Sequence, residues 1–230
     1  MGSTLTVVTS VVTDDFTTND DRIELGEQIL ASAEKKRARL VVLPSGFLKV
    51  GRESKIETEV SSLIAEAHAR GLTVVLGVDT ARPGSGKGKT TGKGAPDFDE
   101  LVETGKLPFF VVVNQGNRAV TWRQRSTTSE NASKARDTTA RTFELDRRRI
   151  HLFACGEIFN DSLKAHAQRG EVAVVPTHTA HGQRFHHAIN WANDKGVEIV
   201  RATHAGSATV GCDAEEIDPV GAARLYLATL

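Results

Sequence analysis

The sequence predicts an α/β protein in which helices pack against a mixed β-sheet. Short β-branched runs alternate with amphipathic stretches in the order β-α-β-α-β over residues 5–80, which is the arrangement that builds a sheet covered by helices. The candidate central strands are nearly continuous apolar runs, as is typical of strands buried on both faces. Two later stretches, 108–126 and 141–158, each hold two strand-like runs separated by a turn, so hairpins are expected within the sheet.

The first third of the chain supplies the alternating order. The run LTVVTSVV (5–12) predicts a strand, and apolar residues near helical spacing predict a helix over 20–38. Asn19 or Asp20 can cap this helix, because their side chains accept hydrogen bonds from free first-turn N–H groups. The following elements are a strand at 40–45, a helix at 56–71 closed by Gly71, and a strand at 72–80.

The last third of the chain restores the β-α-β pattern. Strands are predicted at 172–177 and 197–205, on either side of a helix from about Gln183 to Lys195. A short strand at 208–214 and a terminal helix over 218–230, with Pro219 near its first turn, are expected to close the chain. Since no long linker divides the sequence, residues 1–230 are expected to form a single domain.

The composition excludes several classes of function. Lys+Arg and Asp+Glu both total 29, and aromatic residues are only 5%, which disfavours general polyanion binding and base stacking. No apolar run approaches the roughly 20 residues that span a bilayer, and the first residues lack the pattern of a signal peptide. We therefore expect a cytoplasmic protein with reduced thiols, which binds neither nucleic acid nor membrane.

A glycine- and lysine-rich stretch at 81–97 resembles a phosphate-binding loop only superficially. Gly88-Lys89-Thr90 follows a strand, but the GxxxxGK[ST] pattern needs glycine at position 83, where Pro83 stands. We expect a solvated surface loop and no nucleotide cofactor.

Cys155 lies where the apolar run HLFAC ends and where a helix is expected to begin near Asn160 or Asp161. A thiol exposed near a helix start is a suitable nucleophile, because its pKa can be lowered there. A structural cysteine buried in a strand gives the same local pattern. The local sequence therefore leaves both readings of Cys155 open.

Four histidines follow within PTHTAHGQRFHH, at His178, His181, His186 and His187. Three of them with a carboxylate could bind zinc, but their spacing matches no common zinc pattern, and no metal site is predicted. His178, just past the end of a strand, is expected to line a pocket beside Cys155 and to lower the pKa of its thiol as an imidazolium.

The segment HLFACGEIFND resembles the nucleophile segment of the nitrilase superfamily, the carbon–nitrogen hydrolases. LVVLPSGFL resembles the family's strand and elbow that usually read VVxPE, and RAVTWRQRS resembles the strand that usually reads Tyr-Arg-Lys. VAVVPTHT and the segment QRFHHAINWANDKGVEIVRATHA resemble the elements after the nucleophile. The resemblance extends over most of residues 5–205. It implies an α-β-β-α four-layer sandwich of nitrilase type, commonly paired through its outer helices into homodimers or higher homo-oligomers.

The resemblance also implies roles for individual residues. The family uses a cysteine nucleophile, a glutamate base and a lysine that stabilises the oxyanion. Carried over by motif, the cysteine is Cys155, the glutamate position holds Ser45 and the lysine position holds Gln124. Serine cannot act as a base near neutral pH and glutamine supplies no charge, so this triad is compromised. Glu130 is a candidate accessory base, because many family members have such a glutamate downstream of the lysine.

Two functions follow from the resemblance. One is a carbon–nitrogen hydrolase of amidase or nitrilase type, acting on a small amide, nitrile or carbamoyl compound without a cofactor. The other is a catalytically inactive nitrilase-fold protein with a binding or regulatory role. In both cases the pocket is expected to be lined by Phe47, Glu157, Thr177 and His178.

Overall fold

Two β-sheets pack face to face and carry helices on their outer faces. The computed structural model describes residues 4–13, 16, 18–80, 98–127, 137–179, 181–204, 209–210 and 214–230. The strands are β1 (Thr6–Val12), β2 (Leu40–Val42), β3 (Leu48–Val50), β4 (Thr73–Thr80), β5 (Phe109–Gln115), β6 (Arg118–Arg123), β7 (Thr142–Leu145), β8 (Arg148–Leu152), β9 (Val172–Pro176), β10 (Glu198–Ala202), β11 (Thr209–Val210), β12 (Ala214–Val220) and β13 (Ala223–Thr229).

The first sheet follows the order β12-β13-β1-β2-β4-β5-β6, with β3 also paired to β4, and the second follows the order β11-β10-β9-β8-β7. Strands β1, β2 and β4 are parallel to one another, as are β8, β9 and β10. The two predicted hairpins are present as β5–β6 and β7–β8. The α/β class and the mixed sheet character predicted from the sequence are therefore confirmed.

Helices cover both outer faces. They are α1 (Asn19–Lys35), α2 (Ile56–Ala69), α3 (Phe98–Glu103), α4 (Asp161–Lys164) and α5 (Gln183–Lys195), with short 3₁₀ turns at Glu53–Lys55 and Cys155–Phe159. Because α1 begins one residue before the predicted start, its cap is Thr18, whose hydroxyl accepts a hydrogen bond from the Asp21 N–H at 3.2 Å. Among the described residues, no helix is long and apolar enough to cross a membrane.

Alternation along the strands divides the interior into three apolar layers. In β1, Val8 packs with α1 and α2, whereas Val7 packs toward the second sheet. In β9, Val174 packs toward the first sheet, whereas Val175 packs against α5. The result is the predicted α-β-β-α four-layer sandwich.

The C-terminal segment corrects one prediction. Residues 218–230 do not form a helix; instead β12 and β13 form a hairpin, and β13 pairs antiparallel with β1. Leu225 of β13 is buried while its neighbour Arg224 is exposed, the alternation expected of a strand. Pro219 lies at a register irregularity in β12, an edge strand, where a missing backbone donor is tolerated. Of the strand predicted at 208–214, Thr209–Val210 form β11, and 211–213 lie outside the described residues.

Gly77 of β4 sets the close contact between this strand and the chain after β2. A Cβ atom added at Gly77 would lie 2.2 Å from the Ser45 Cα and 2.9 Å from the Pro44 carbonyl oxygen. Both are backbone atoms, so neither can move aside without displacing the segment that leads into the site. Only glycine fits here.

We expect Gly77→Ala to lower the free energy of unfolding by at least about 1–3 kcal/mol, the usual cost of overpacking. Gly51→Ala is the matched control, because an added Cβ there meets nothing within 4 Å. Urea unfolding of both variants measures the difference. Equal stability of the two variants would contradict the close backbone packing described at Gly77.

Candidate active site

Polar side chains from several parallel strands meet at one end of the sandwich. Ser45 follows β2, Asp79 lies near the carboxyl end of β4, Cys155 follows β8, and His178 and His204 follow β9 and β10. The carboxyl ends of parallel strands are where open α/β sheets usually form binding crevices. The five residues come from both sheets, so the site depends on the packing of one sheet on the other.

Cys155 occupies a sharp elbow. It is the first residue of the 3₁₀ turn Cys155–Phe159 and has a φ of +48°. A non-glycine residue in this left-handed region is uncommon and must be held there by its surroundings. The side chain is close to fully buried, with 9% of its surface exposed.

Glu157 holds the elbow in place. Its carboxylate is fully buried, and Oε2 accepts a hydrogen bond from the Ala154 N–H at 3.0 Å. Oε1 accepts from the Arg125 N–H at 2.6 Å and lies 3.2 Å from the Arg141 guanidinium. Both oxygens are therefore engaged with the backbone and with buried cations.

Two imidazole nitrogens lie beside the Cys155 sulfur. His178 Nδ1 is 3.4 Å and His181 Nε2 is 3.5 Å from Sγ. Burial alone raises the pKa of the thiol, but the hydrogen bonds from His178 and His181 outweigh it and lower the pKa of Cys155 to about 6. The sulfur is therefore set up to be a thiolate at neutral pH.

His178 is held on its other side by Asp79. Nε2 lies 2.8 Å from Oδ1 and 3.0 Å from Oδ2 of that carboxylate, and the ring packs against Phe109 with centroids 4.6 Å apart. Burial lowers the pKa of His178, but the hydrogen bonds to Asp79 and Cys155 reverse this and raise it to about 10. Between these two pKa values the pair is a thiolate and an imidazolium.

Gly46 allows Asp79 and His178 to approach each other. It has a φ of +68°, and a Cβ added there would lie 2.8 Å from Asp79 Oδ2 and 3.3 Å from His178 Cδ2. A side chain at this position would push the carboxylate away from the imidazole. The glycine is thus required by both conformation and space.

A cavity of about 330 Å³ borders this group. Its wall includes His178, Asp79 and Ser45, together with the cationic side chains of Arg22 and Lys49. Among the described residues Cys155 does not line this cavity; its sulfur lies beside Nδ1 of His178, whereas Asp79, which does line it, lies beside Nε2. The His178 imidazole therefore contacts the Cys155 sulfur and also lines the cavity.

The two residues that the resemblance assigns to the glutamate and lysine positions both hydrogen-bond to the backbone. Ser45 Oγ donates to the Pro176 carbonyl oxygen at 2.9 Å, and Gln124 Nε2 donates to the Ser126 carbonyl oxygen at 2.6 Å. Both side chains are buried, at 5% and 3% exposure. Neither supplies a base or a charge, and Glu130 lies outside the described residues.

Of the four residues expected to line the substrate pocket, three do not border this cavity. Phe47 is fully buried in the apolar layer between the first sheet and α1 and α2. Thr177 is fully buried and its Oγ1 donates to the Ala202 carbonyl oxygen at 3.0 Å. Glu157 accepts a hydrogen bond from the Ala154 N–H and so supports the elbow at Cys155. Only His178 lines the cavity, because its side chain extends past the strand end instead of into a packed layer.

The sequence reasoning missed Asp79 and gave His181 no role beside the thiol. Asp79 is the one acid in the apolar run LTVVLGVDT, near the carboxyl end of its strand, and that isolated charge was the available signal. In the sequence, His181 stands out only as one of four clustered histidines that could bind zinc. His186 and His187 are exposed on α5, and the described residues contain no group of side chains arranged to hold a metal ion.

The four-layer sandwich is the fold of solved amidases of the nitrilase superfamily. One similar structure is an amidase from Nesterenkonia sp., with a TM-score of 0.69 and 15% identity, covering 100% of this chain and 91% of that chain. Another is a cysteine-to-alanine mutant of the amidase from Nesterenkonia sp. AN1 in complex with butyramide, with a TM-score of 0.70, 15% identity, and 100% and 92% coverage. At this identity the likeness establishes the fold, and the predicted resemblance is confirmed at that level.

The sequence itself matches no family model and no curated protein.

We expect Cys155 to react with iodoacetamide in proportion to its thiolate fraction, with a midpoint near pH 6, because its pKa is lowered to about 6. Since a lowered pKa keeps the thiolate present above that pH, the rate should rise through pH 6 and stay high at neutrality. Mass spectrometry of the two cysteine peptides measures both sites at once. Cys212, the other cysteine of the sequence, is the internal comparison and should be labelled more slowly than Cys155 at neutral pH. Equal, slow labelling of both thiols would rule out an activated Cys155.

Proposed function

We propose that the protein is a thiol-dependent hydrolase that cleaves the C–N bond of a small amide, with Cys155 as its nucleophile. The observation that carries the proposal is a cysteine on a left-handed elbow with two imidazole nitrogens within 3.5 Å of its sulfur. Strained backbone and a lowered thiol pKa together are typical of a functional site and serve no purpose in a packed core.

The proposed reaction has two stages. The Cys155 thiolate attacks the amide carbonyl carbon, and loss of the amine leaves an acyl thioester on the sulfur. Water then attacks the thioester, releases the carboxylic acid and returns the thiolate. Splitting amide hydrolysis in this way replaces one difficult displacement by two easier ones.

The solved structures that share this fold support a small amide as the substrate. Two structures with this fold are mutants of the Nesterenkonia amidase in complex with butyramide and with acrylamide. A further mutant of that enzyme has the acetamide moiety of fluoroacetamide covalently added at its active-site cysteine. Nitriles and carbamoyl compounds are the other substrate classes included in the proposal.

A second candidate function is favoured by the substituted positions. Ser45 and Gln124 stand where this fold usually has its base and its cation, and their side chains are engaged with backbone carbonyls. A protein that kept the cavity but lost the reaction would be an inactive binding or regulatory protein. The activated thiol makes the hydrolase the better supported of the two.

Two further expectations accompany the proposal. We propose a homodimer or higher homo-oligomer, as the resemblance implies, and a cytoplasmic location. Both are predictions that rest on the sequence.

We expect Cys155→Ala to abolish the release of ammonia from butyramide, because no other group on the elbow can form the thioester. Cys212→Ala is the matched control and should retain the wild-type rate. Ammonia release and butyramide binding, measured on the same preparations, distinguish a hydrolase from an inactive binding protein. Unchanged turnover in Cys155→Ala would refute the thiol mechanism, and wild-type protein that binds butyramide without hydrolysing it would support the binding protein.

A further inference from the structure

A new set of proton-transfer groups lies beside the substituted triad. We infer that His178 is the catalytic acid and base for Cys155 and that Asp79 positions it, so that the working triad is Cys155–His178–Asp79. The inference rests on the proposed thiol hydrolase function. It assigns to an imidazole the role that glutamate usually has in this fold, and it explains how Ser45 can stand at the glutamate position.

The three residues form a continuous chain of contacts. His178 Nδ1 is 3.4 Å from the Cys155 sulfur, and Nε2 is 2.8 Å from Asp79 Oδ1. Because the carboxylate accepts a hydrogen bond from Nε2–H, Nδ1 is directed at the sulfur and is the nitrogen that gives up and takes back a proton. This is the arrangement of nucleophile, base and orienting group that recurs in thiol and serine hydrolases of unrelated folds.

The positions of the three residues are set by strands. Asp79 lies in β4, where it pairs with Lys49 of β3 and Phe109 of β5. His178 follows β9, and Cys155 follows β8, the strand beside β9. Groups placed at the ends of paired strands are held more precisely than groups on long loops.

His178 is better placed than His181 for the acid–base role. His181 also faces the sulfur, at 3.5 Å, and packs edge-on against Phe159. Among the contacts of the described residues, only His178 joins the sulfur to a carboxylate. We assign the stabilisation of the thiolate to both histidines and the transfer of protons to His178.

The proton and electron movements balance as follows. Thiolate attack forms the S–C bond and moves the carbonyl π pair to oxygen. The tetrahedral intermediate collapses, the C–N bond breaks, and the Nδ1 proton of His178 goes to the leaving amine. Neutral His178 then removes a proton from water as its oxygen attacks the thioester, and the C–S bond breaks to return the thiolate. The sum is amide plus water giving carboxylic acid plus amine.

Three single variants test the inference: His178→Gln, Asp79→Asn and Glu171→Gln. Glu171 is the matched control, because its carboxylate lies 2.7 Å from Nε2 of another buried histidine, His151, which is not part of the site. Each variant is measured in two ways across pH: kcat and KM for butyramide, and the rate at which Cys155 reacts with iodoacetamide. The second readout needs no turnover.

We expect His178→Gln to lower kcat by roughly 10²–10⁴-fold, the usual contribution of a general acid and base. Asp79→Asn should also lower kcat, with little change in KM, and should move the alkylation midpoint of Cys155 upward. Since the two residues act as a unit, the double variant should be no slower than His178→Gln alone. Glu171→Gln should keep the wild-type profiles.

The inference would be overturned if Asp79→Asn kept the wild-type alkylation midpoint, or if its loss in kcat added fully to that of His178→Gln. It would also be overturned if the losses in kcat were non-additive for His181→Gln with Asp79→Asn but additive for His178→Gln with Asp79→Asn, because Asp79 would then act through His181. If the wild-type protein shows no turnover, the proposed hydrolase function is contradicted. The linkage of Asp79, His178 and Cys155 is still supported in that case if His178→Gln and Asp79→Asn both shift the pH midpoint of Cys155 alkylation.

Discussion

The site depends on the hydrogen bonds and the ion pair made by the buried carboxylate of Glu157. It accepts the N–H of Ala154, next to the elbow, and the N–H of Arg125, just after β6. It therefore joins the first sheet to the turn after β8 in the second sheet. A carboxylate with no exposed surface is stable only when cations and donors surround it, and Arg141, itself buried, fills that role. This network offsets the strain of a left-handed cysteine.

Cys155 lies on the elbow where the resemblance implies a nucleophile, and the side chains that contact its sulfur are imidazoles. Ser45 and Gln124 hold backbone carbonyls and contribute neither a base nor a cation. In the proposed mechanism the protons are moved by His178, and the thiolate is stabilised by the hydrogen bonds of His178 and His181, which follow β9. A site is defined by its geometry and roles, so the same elbow can operate with a different base.

The parts predicted from sequence were those that depend on local pattern. Apolar runs identified most strands, and the resemblance of HLFACGEIFND to a family segment indicated the elbow at Cys155. The terminal hairpin was mistaken for a helix, because the alternation of β13 is visible only once β1 is known to lie beside it. The pairing of Asp79 with His178 joins residues 99 positions apart, and no local signal specifies such a contact. The sequence could place the imidazole near the thiol but could not supply its partner.

The protonation state of His178 tests the central claim most directly. The imidazole nitrogen resonances of the intact protein can be read by NMR at about pH 8, between the Cys155 pKa of about 6 and the His178 pKa of about 10. We expect an imidazolium, with both ring nitrogens of His178 protonated opposite a thiolate. A neutral His178 at that pH, titrating near its ordinary value of about 6.5, would contradict it.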